Sequence, residues 1–241
     1  MKFGKYVLIS ALFLMIFLTG CETVNQNELA MEKASITGPT LKAQCLVTVF
    51  DDTGNKYFTT QKHKIYPQDQ KIIITASEPE GDFTWGLNKG NFFLKNTNNA
   101  VEQPKFKVCS HGIAQTVLLA VSAAGGFLDD HSGLIGEPLS ISGQMYEPVI
   151  VFANAASPVA QIVYRQQVTH KIDWVKVENE TAKSALAGRC YNLREIKNTD
   201  KHIPTSIDIY NTDKNGRPAD RIMHLEYSSI EFKQAPEKSK K

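Results

Sequence analysis

The 241-residue chain lacks the motifs that announce common enzyme chemistry. It has no glycine-rich phosphate loop following a strand, no Gly-x-Ser-x-Gly elbow and no His-Glu-x-x-His helix. It also lacks an excess of charge: 27 Lys and Arg stand against 25 Asp and Glu, a formal net charge of +2. Lys2 and Lys5 are the only charges ahead of Cys21, so beyond them the balance is zero. A chain without surplus positive charge has little to hold a polyanion with, so neither a nucleic-acid partner nor broad attraction to anionic lipid is expected. Cysteine is scarce, with four residues in all, and there is only one long apolar run.

That run, Tyr6 to Leu18, follows Met-Lys-Phe-Gly-Lys and leads into Leu18-Thr19-Gly20-Cys21. A finished membrane helix needs ~20 apolar residues, and this shorter segment has the charged, apolar, small order of an export signal. Residues 1–20 are therefore read as a signal peptide. The four residues at its end resemble the lipobox of bacterial lipoproteins. The resemblance implies that Cys21 receives a diacylglyceryl group and that this fatty-acylated (palmitate-type) cysteine starts the mature protein. Each buried acyl methylene contributes ~0.8 kcal/mol, so more than one chain anchors the body without any helix in the bilayer. Residues 21–40 are polar and poor in aromatics, the composition of a spacer. After acylation Cys45, Cys109 and Cys190 remain, an odd number in a compartment that permits disulfides. One structural bridge and buried free thiols are both open.

From residue 41 to 233 the pattern is that of one β-rich domain. Ala43 to Phe50 and Lys56 to Tyr66 are β-type runs on either side of Asp51-Asp52-Thr53-Gly54-Asn55, a hairpin signal. Lys71 to Ala76 is a further strand. In Asp82 to Asn88, Phe83, Trp85 and Leu87 alternate with Thr84, Gly86 and Asn88, the period of a half-buried strand, and Phe92-Phe93-Leu94 returns the chain. From Ile162 to Trp174 the even positions are mostly apolar, which reads as one long strand. Arg189 to Ile196, Ile203 to Tyr210 and Arg221 to Phe232 follow, the last changing parity at Ser228-Ser229 as a bulge would. Gly112 to Ala124 differs in kind: it is rich in Ala and Leu, has almost no polar face and stops at Gly125-Gly126, so it predicts an apolar helix that must be covered. The glycine-rich stretch to Gly143 reads as a mobile loop, and residues 234–241 as a solvated basic tail. The fold class expected is mainly β (α+β), a curved antiparallel sheet or incomplete β-barrel with one apolar helix packed against or across it.

One polar cluster could carry chemistry: Cys109-Ser110-His111 before the helix and Asp129-Asp130-His131 after it. A helix of this length holds its two ends some 20 Å apart, and the spacing matches no standard zinc pattern. No catalytic residue, metal ligand or cofactor is therefore assigned. His63, His170, His202 and His224 are scattered through strand-like or turn segments and read as wet-face residues. What remains is apolar: Phe83, Trp85, Leu87 and Phe92 on one hairpin, Tyr164 and Trp174 on the long strand, and Val117, Leu118 and Leu119 on the helix. On the concave face of a curved sheet, with the helix across the opening, these residues would line a cleft for acyl chains. They would equally fill a solid core.

The exported lipobox, the successive antiparallel hairpins, Phe83-x-Trp85-Gly86-Leu87-Asn88 running into Phe92-Phe93-Leu94, and the late strand Pro204-Thr205-Ser206-Ile207-Asp208-Ile209 together resemble the LolA/LolB-like lipoprotein carriers and receptors. That resemblance implies an incomplete β-barrel closed by helices over a cavity that holds lipoprotein acyl chains. It also implies a non-enzymatic, membrane-anchored periplasmic protein whose ligand is a lipid or lipoprotein. Glu22 follows the lipidated cysteine where an aspartate would favour the inner membrane, which points to the periplasmic side of the outer membrane. The alternative is a lipid-tethered structural or protein-interaction module without a ligand cavity.

Overall fold

The computed structural model describes residues 38–78, 81–96, 111–128, 133–151, 159–179 and 184–234. The lipobox with Cys21, most of the spacer, Cys109-Ser110, Asp129-Asp130-His131 and residues 235–241 lie outside them.

Strands β1 (Thr40–Phe50) and β2 (Lys56–Tyr66) form the expected hairpin. The Asp51 carboxylate closes its turn, accepting from the Thr53 hydroxyl at 2.7 Å and from the backbone N–H groups of Thr53 and Asn55 at 3.0 and 2.8 Å. This is the local side-chain-to-backbone bonding that makes aspartate a turn former. β3 (Lys71–Glu78), β4 (Gly81–Asn88) and β5 (Asn91–Asn96) continue the meander. Helix α1 (His111–Ala124) comes next, then β6 (Leu134–Ile135), β7 (Leu139–Ile141), β8 (Gln144–Val151), β9 (Val159–Gln166), β10 (Ile172–Asn179), β11 (Ser184–Glu195), β12 (His202–Thr212) and β13 (Pro218–Lys233).

All thirteen strands belong to one antiparallel sheet, ordered β5-β4-β3-β2-β1-β13-β12-β11-β10-β9-β8-β6, with β7 also paired to β8. The first strand and the last are neighbours, so two meanders meet at β1–β13. Among the described residues β5 and β6 are not paired with each other, and the sheet is open between them. Its curvature follows from what the helix touches: α1 contacts β10, β11 and β12 and also β3 and β4. β4 and β10 are seven strand spacings apart in that order, roughly 34 Å on a flat sheet at ~4.8 Å each. A helix about 10–12 Å wide reaches both only if the sheet curls around it.

The strands differ from the sequence expectation in several places, and β8 was not anticipated at all. The run from Ile162 to Trp174 is a hairpin, because the chain turns at His170 in a left-handed conformation (φ 56°) and the Gln166 N–H closes on the Lys171 carbonyl at 2.9 Å. An intervening turn had restored the same parity on the second strand, which disguised two strands as one. The glycine-rich stretch holds the short strands β6 and β7, too brief to show a period. The bulge at Ser228-Ser229 is present: Lys42 pairs with Glu231 but Gln44 with Ser228, and Ser229 has φ 49°.

Candidate functional site

The concave face carries the larger core. Leu41, Val47, Ile65, Ile72, Ile74, Trp85, Leu87, Val175, Val177, Ile207, Ile209 and Leu225 from the sheet meet Val117, Leu118, Leu119 and Val121 of the helix in one cluster. Every α1 residue from Ala114 to Ala123 is buried. The absence of a polar face on this helix is thus explained by its seat inside the curl, where no side faces water.

Small residues set that seat. A Cβ on Gly188 would stand 2.8 Å from Thr116 Cγ2, and one on Gly112 would stand 3.2 Å from Leu186 Cδ1; further along, the Cys190 thiol lies 3.7 Å from the Ala120 carbonyl. Helix positions 112, 116 and 120 thus ride on strand positions 186, 188 and 190. The match is metric, since four helical residues advance about 6 Å and two strand residues about 6.7 Å. The stop after Ala124 is a Schellman motif: Phe127 N–H donates to Ser122 O at 2.8 Å, Gly126 N–H to Ala123 O at 3.2 Å, and Gly126 has φ 71°. The His202 N–H then ties the end to β12 through the Gly125 carbonyl. At the other end His111 Nε2 bonds the Gly90 carbonyl at 3.1 Å and its ring packs on Phe92. His111 is committed to this contact, and burial lowers its pKa.

Near the C-terminal half of α1 lies a pocket of about 10 Å³, room for roughly one water, lined by Leu41, Ala43, His63, Ile65, Val121, Ile203, Tyr227 and Ile230. Two polar side chains stand in this apolar wall. His63 Nδ1 lies 3.0 Å from the Tyr227 hydroxyl and Nε2 lies 3.0 Å from Gln61 Oε1. A neutral ring satisfies both, donating from Nε2 to the amide oxygen and accepting the tyrosine proton at Nδ1. Burial holds its pKa down at about 3. His63 was expected on a wet face; it shares strand parity with buried Gln61 and Ile65 and is 1% exposed. Two further buried polar atoms of this core have no hydrogen-bond partner among the described residues: Trp85 Nε1 and Ser122 Oγ.

Of the residues singled out in the sequence, Trp85, Leu87, Phe92, Val117, Leu118 and Leu119 are gathered in the concave cluster. Phe83 shares the strand parity of Trp85 and Leu87 and is buried. Tyr164 and Trp174 are not brought to them: they lie in a second cluster with Ile141, Tyr146, Ile162 and Ala187. Their neighbours Val163, Val175 and Val177 take the helix side instead. The opposite face also holds a network that sequence spacing could not reveal. Buried Asp208 accepts from His224 Nδ1 at 2.6 Å, Tyr210 Oη at 3.2 Å and Arg221 Nη1 at 3.3 Å, and the Arg189 guanidinium packs between the Trp174 and Tyr191 rings. Cys45 and Cys190 are buried free thiols, and burial raises both pKa values far above the ordinary thiol range. Among the described residues no three His, Cys, Asp or Glu side chains lie close enough to share an ion, and no helix is long and apolar enough to cross a membrane.

No protein-family model matches the chain, and no curated protein does. Among solved structures it is similar to a LolA superfamily protein from Nitrosomonas europaea, with TM-score 0.52 at 12% identity over 82% of this chain and 87% of that one. A putative outer membrane lipoprotein-sorting protein domain from Vibrio parahaemolyticus aligns with TM-score 0.40 at 11% identity, covering 85% and 91% of the two chains. A DUF1329 family protein from Desulfovibrio piger aligns with TM-score 0.42 at 7% identity, covering 84% and 88%. The first of these shows a shared fold: the open, curled antiparallel sheet described above is LolA-like.

Proposed function

We propose that this protein is a non-enzymatic lipoprotein of the bacterial envelope, anchored through Cys21 to the periplasmic side of the outer membrane, that binds a lipid or a lipoprotein acyl chain on the concave face of its sheet. One observation carries the reading: a helix without a polar face lies inside the curl and touches strands from both halves of the sheet. A helix of that composition has the same solvent preference as an acyl chain, so the surface it covers is one an acyl chain would wet equally well. Phe83, Trp85, Leu87 and Phe92 form the fixed wall; Val117, Leu118 and Leu119 form the movable one. The pocket of about 10 Å³ beside α1 holds no more than about one water; in this reading the helix swings away from β3 and β4 as a chain loads. The close seat on β11 makes that strand the natural pivot.

Native mass spectrometry of the full-length protein purified from envelope extract tests this. Co-purified lipid is the expected result. The same close packing supports a second reading, a tethered structural or protein-binding module with a filled core; a chain that emerges bare and takes up no added lipid would put that module in the carrier's place.

A further inference from the structure

Buried polar atoms without partners are uncommon in folded proteins, and each calls for a reason. The concave core holds two, Trp85 Nε1 and Ser122 Oγ, with the parent residues 3% and 2% exposed. Their placement is not random. Trp85 pairs with Ile74 and Ile74 with His63, so the indole stands in the same cross-strand row as the histidine of the pocket, two strands away. Ser122 follows Val121, which lines that pocket from the helix. One orphan thus stands on the sheet and the other on the helix that covers it.

Indole nitrogen only donates, and a serine hydroxyl donates or accepts. A carbonyl oxygen of a ligand would accept from either. A charged group is disfavoured, because the buried polar and charged residues among those described include no Lys or Arg to compensate a carboxylate or phosphate in this apolar space. His63 does not serve either, since it is held neutral between Gln61 and Tyr227. We infer that Trp85 and Ser122 read the neutral carbonyl of an ester- or amide-linked acyl chain, making them specificity-determining residues for the linkage and not for the hydrocarbon. This rests on the acyl-binding reading above.

Equilibrium binding to the full-length protein separates the two ideas, using radiolabelled 1-palmitoylglycerol, its 1-O-hexadecyl ether counterpart and free palmitate below their aggregation concentrations. The wild-type protein is expected to hold the ester about tenfold more tightly than the ether, the size of one buried hydrogen bond. Trp85→Phe should remove most of that ratio, with ester binding falling much further than ether binding. Ser122→Ala, which leaves the wall intact, should lower the ratio by about threefold and serves if the indole variant fails to fold. An equal loss of ester and ether binding in both variants would overturn the inference and leave the acyl-binding reading standing. Palmitate bound as tightly as the ester would do the same. If the wild-type protein binds none of the three probes, the acyl-binding reading itself falls.

Discussion

At position 63 an imidazole sits in an apolar wall, and its surroundings turn a buried histidine into a pH liability. Above the unfolded value of 6.5 the ring is neutral in both states and adds no pH dependence. Below it the unfolded chain takes up a proton that the native ring refuses down to about 3, so stability falls as the pH drops through that window. The slope approaches about 1.4 kcal/mol per pH unit, or roughly 2 kcal/mol lost by about pH 5. His63→Gln, which places an uncharged amide beside Tyr227, should lose this component; urea midpoints of both proteins at about pH 7 and about pH 5 measure it, and parallel shifts would show that His63 is not responsible. Residue identities were partly legible beforehand. The alternation Phe83, Trp85, Leu87 named three concave-face side chains, because period two fixes the face once one member is buried. Parity also places His63 with Ile65, but polarity argued the other way, and the compensating Tyr227 is 164 positions distant. The face assignment failed for Tyr164 and Trp174 because both faces of β9 and β10 are apolar, so alternation lost its power to choose.

The helix shows what an element can and cannot announce. Composition, the absence of a polar face and Gly125-Gly126 located α1 to within a residue, and its burial followed from its apolarity. The strand it would lie on was not legible, because Gly188 reads as an ordinary strand glycine until Thr116 is seen against it. That contact makes a specific demand. A side chain at 188 must push Thr116 or Val175 aside, since a Cβ there would stand 2.8 and 3.0 Å from their methyl groups. Gly188→Val is expected to destabilise the fold by about 1–3 kcal/mol through overpacking, read as a lower urea midpoint at unchanged slope. Gly86 is tighter still: its Cβ would fall 1.9 Å from the Ile72 carbonyl oxygen, so Gly86→Ala should break the β3–β4 pairing locally and expose β3 and β4 amides to hydrogen exchange. On the opposite wall, Leu118→Asp places a charge where α1 meets the sheet and should abolish lipid retention in native mass spectra. Retention at the wild-type level would remove the helix from the proposed site.

For the whole molecule, the LolA-like sheet and the proposed anchor divide the work. The sheet joins its first and last strands at β1–β13, so the spacer before Thr40 leaves from the middle of the sheet and not from either open edge. Sequence patterns identified most strands, yet not the order that places β13 beside β1, because antiparallel pairing between distant strands leaves no local mark. The proposed anchor depends on a single thiol. Cys21→Ala should abolish incorporation of labelled palmitate and shift the protein out of the outer-membrane fraction, because the acyl chains supply the proposed attachment. The fold should be untouched, so circular dichroism and lipid binding by the released protein should match the wild type. Label retained in Cys21→Ala would mean that attachment occurs elsewhere, whereas loss of binding together with the label would mean that the acyl anchor contributes to the binding face and is not merely its tether.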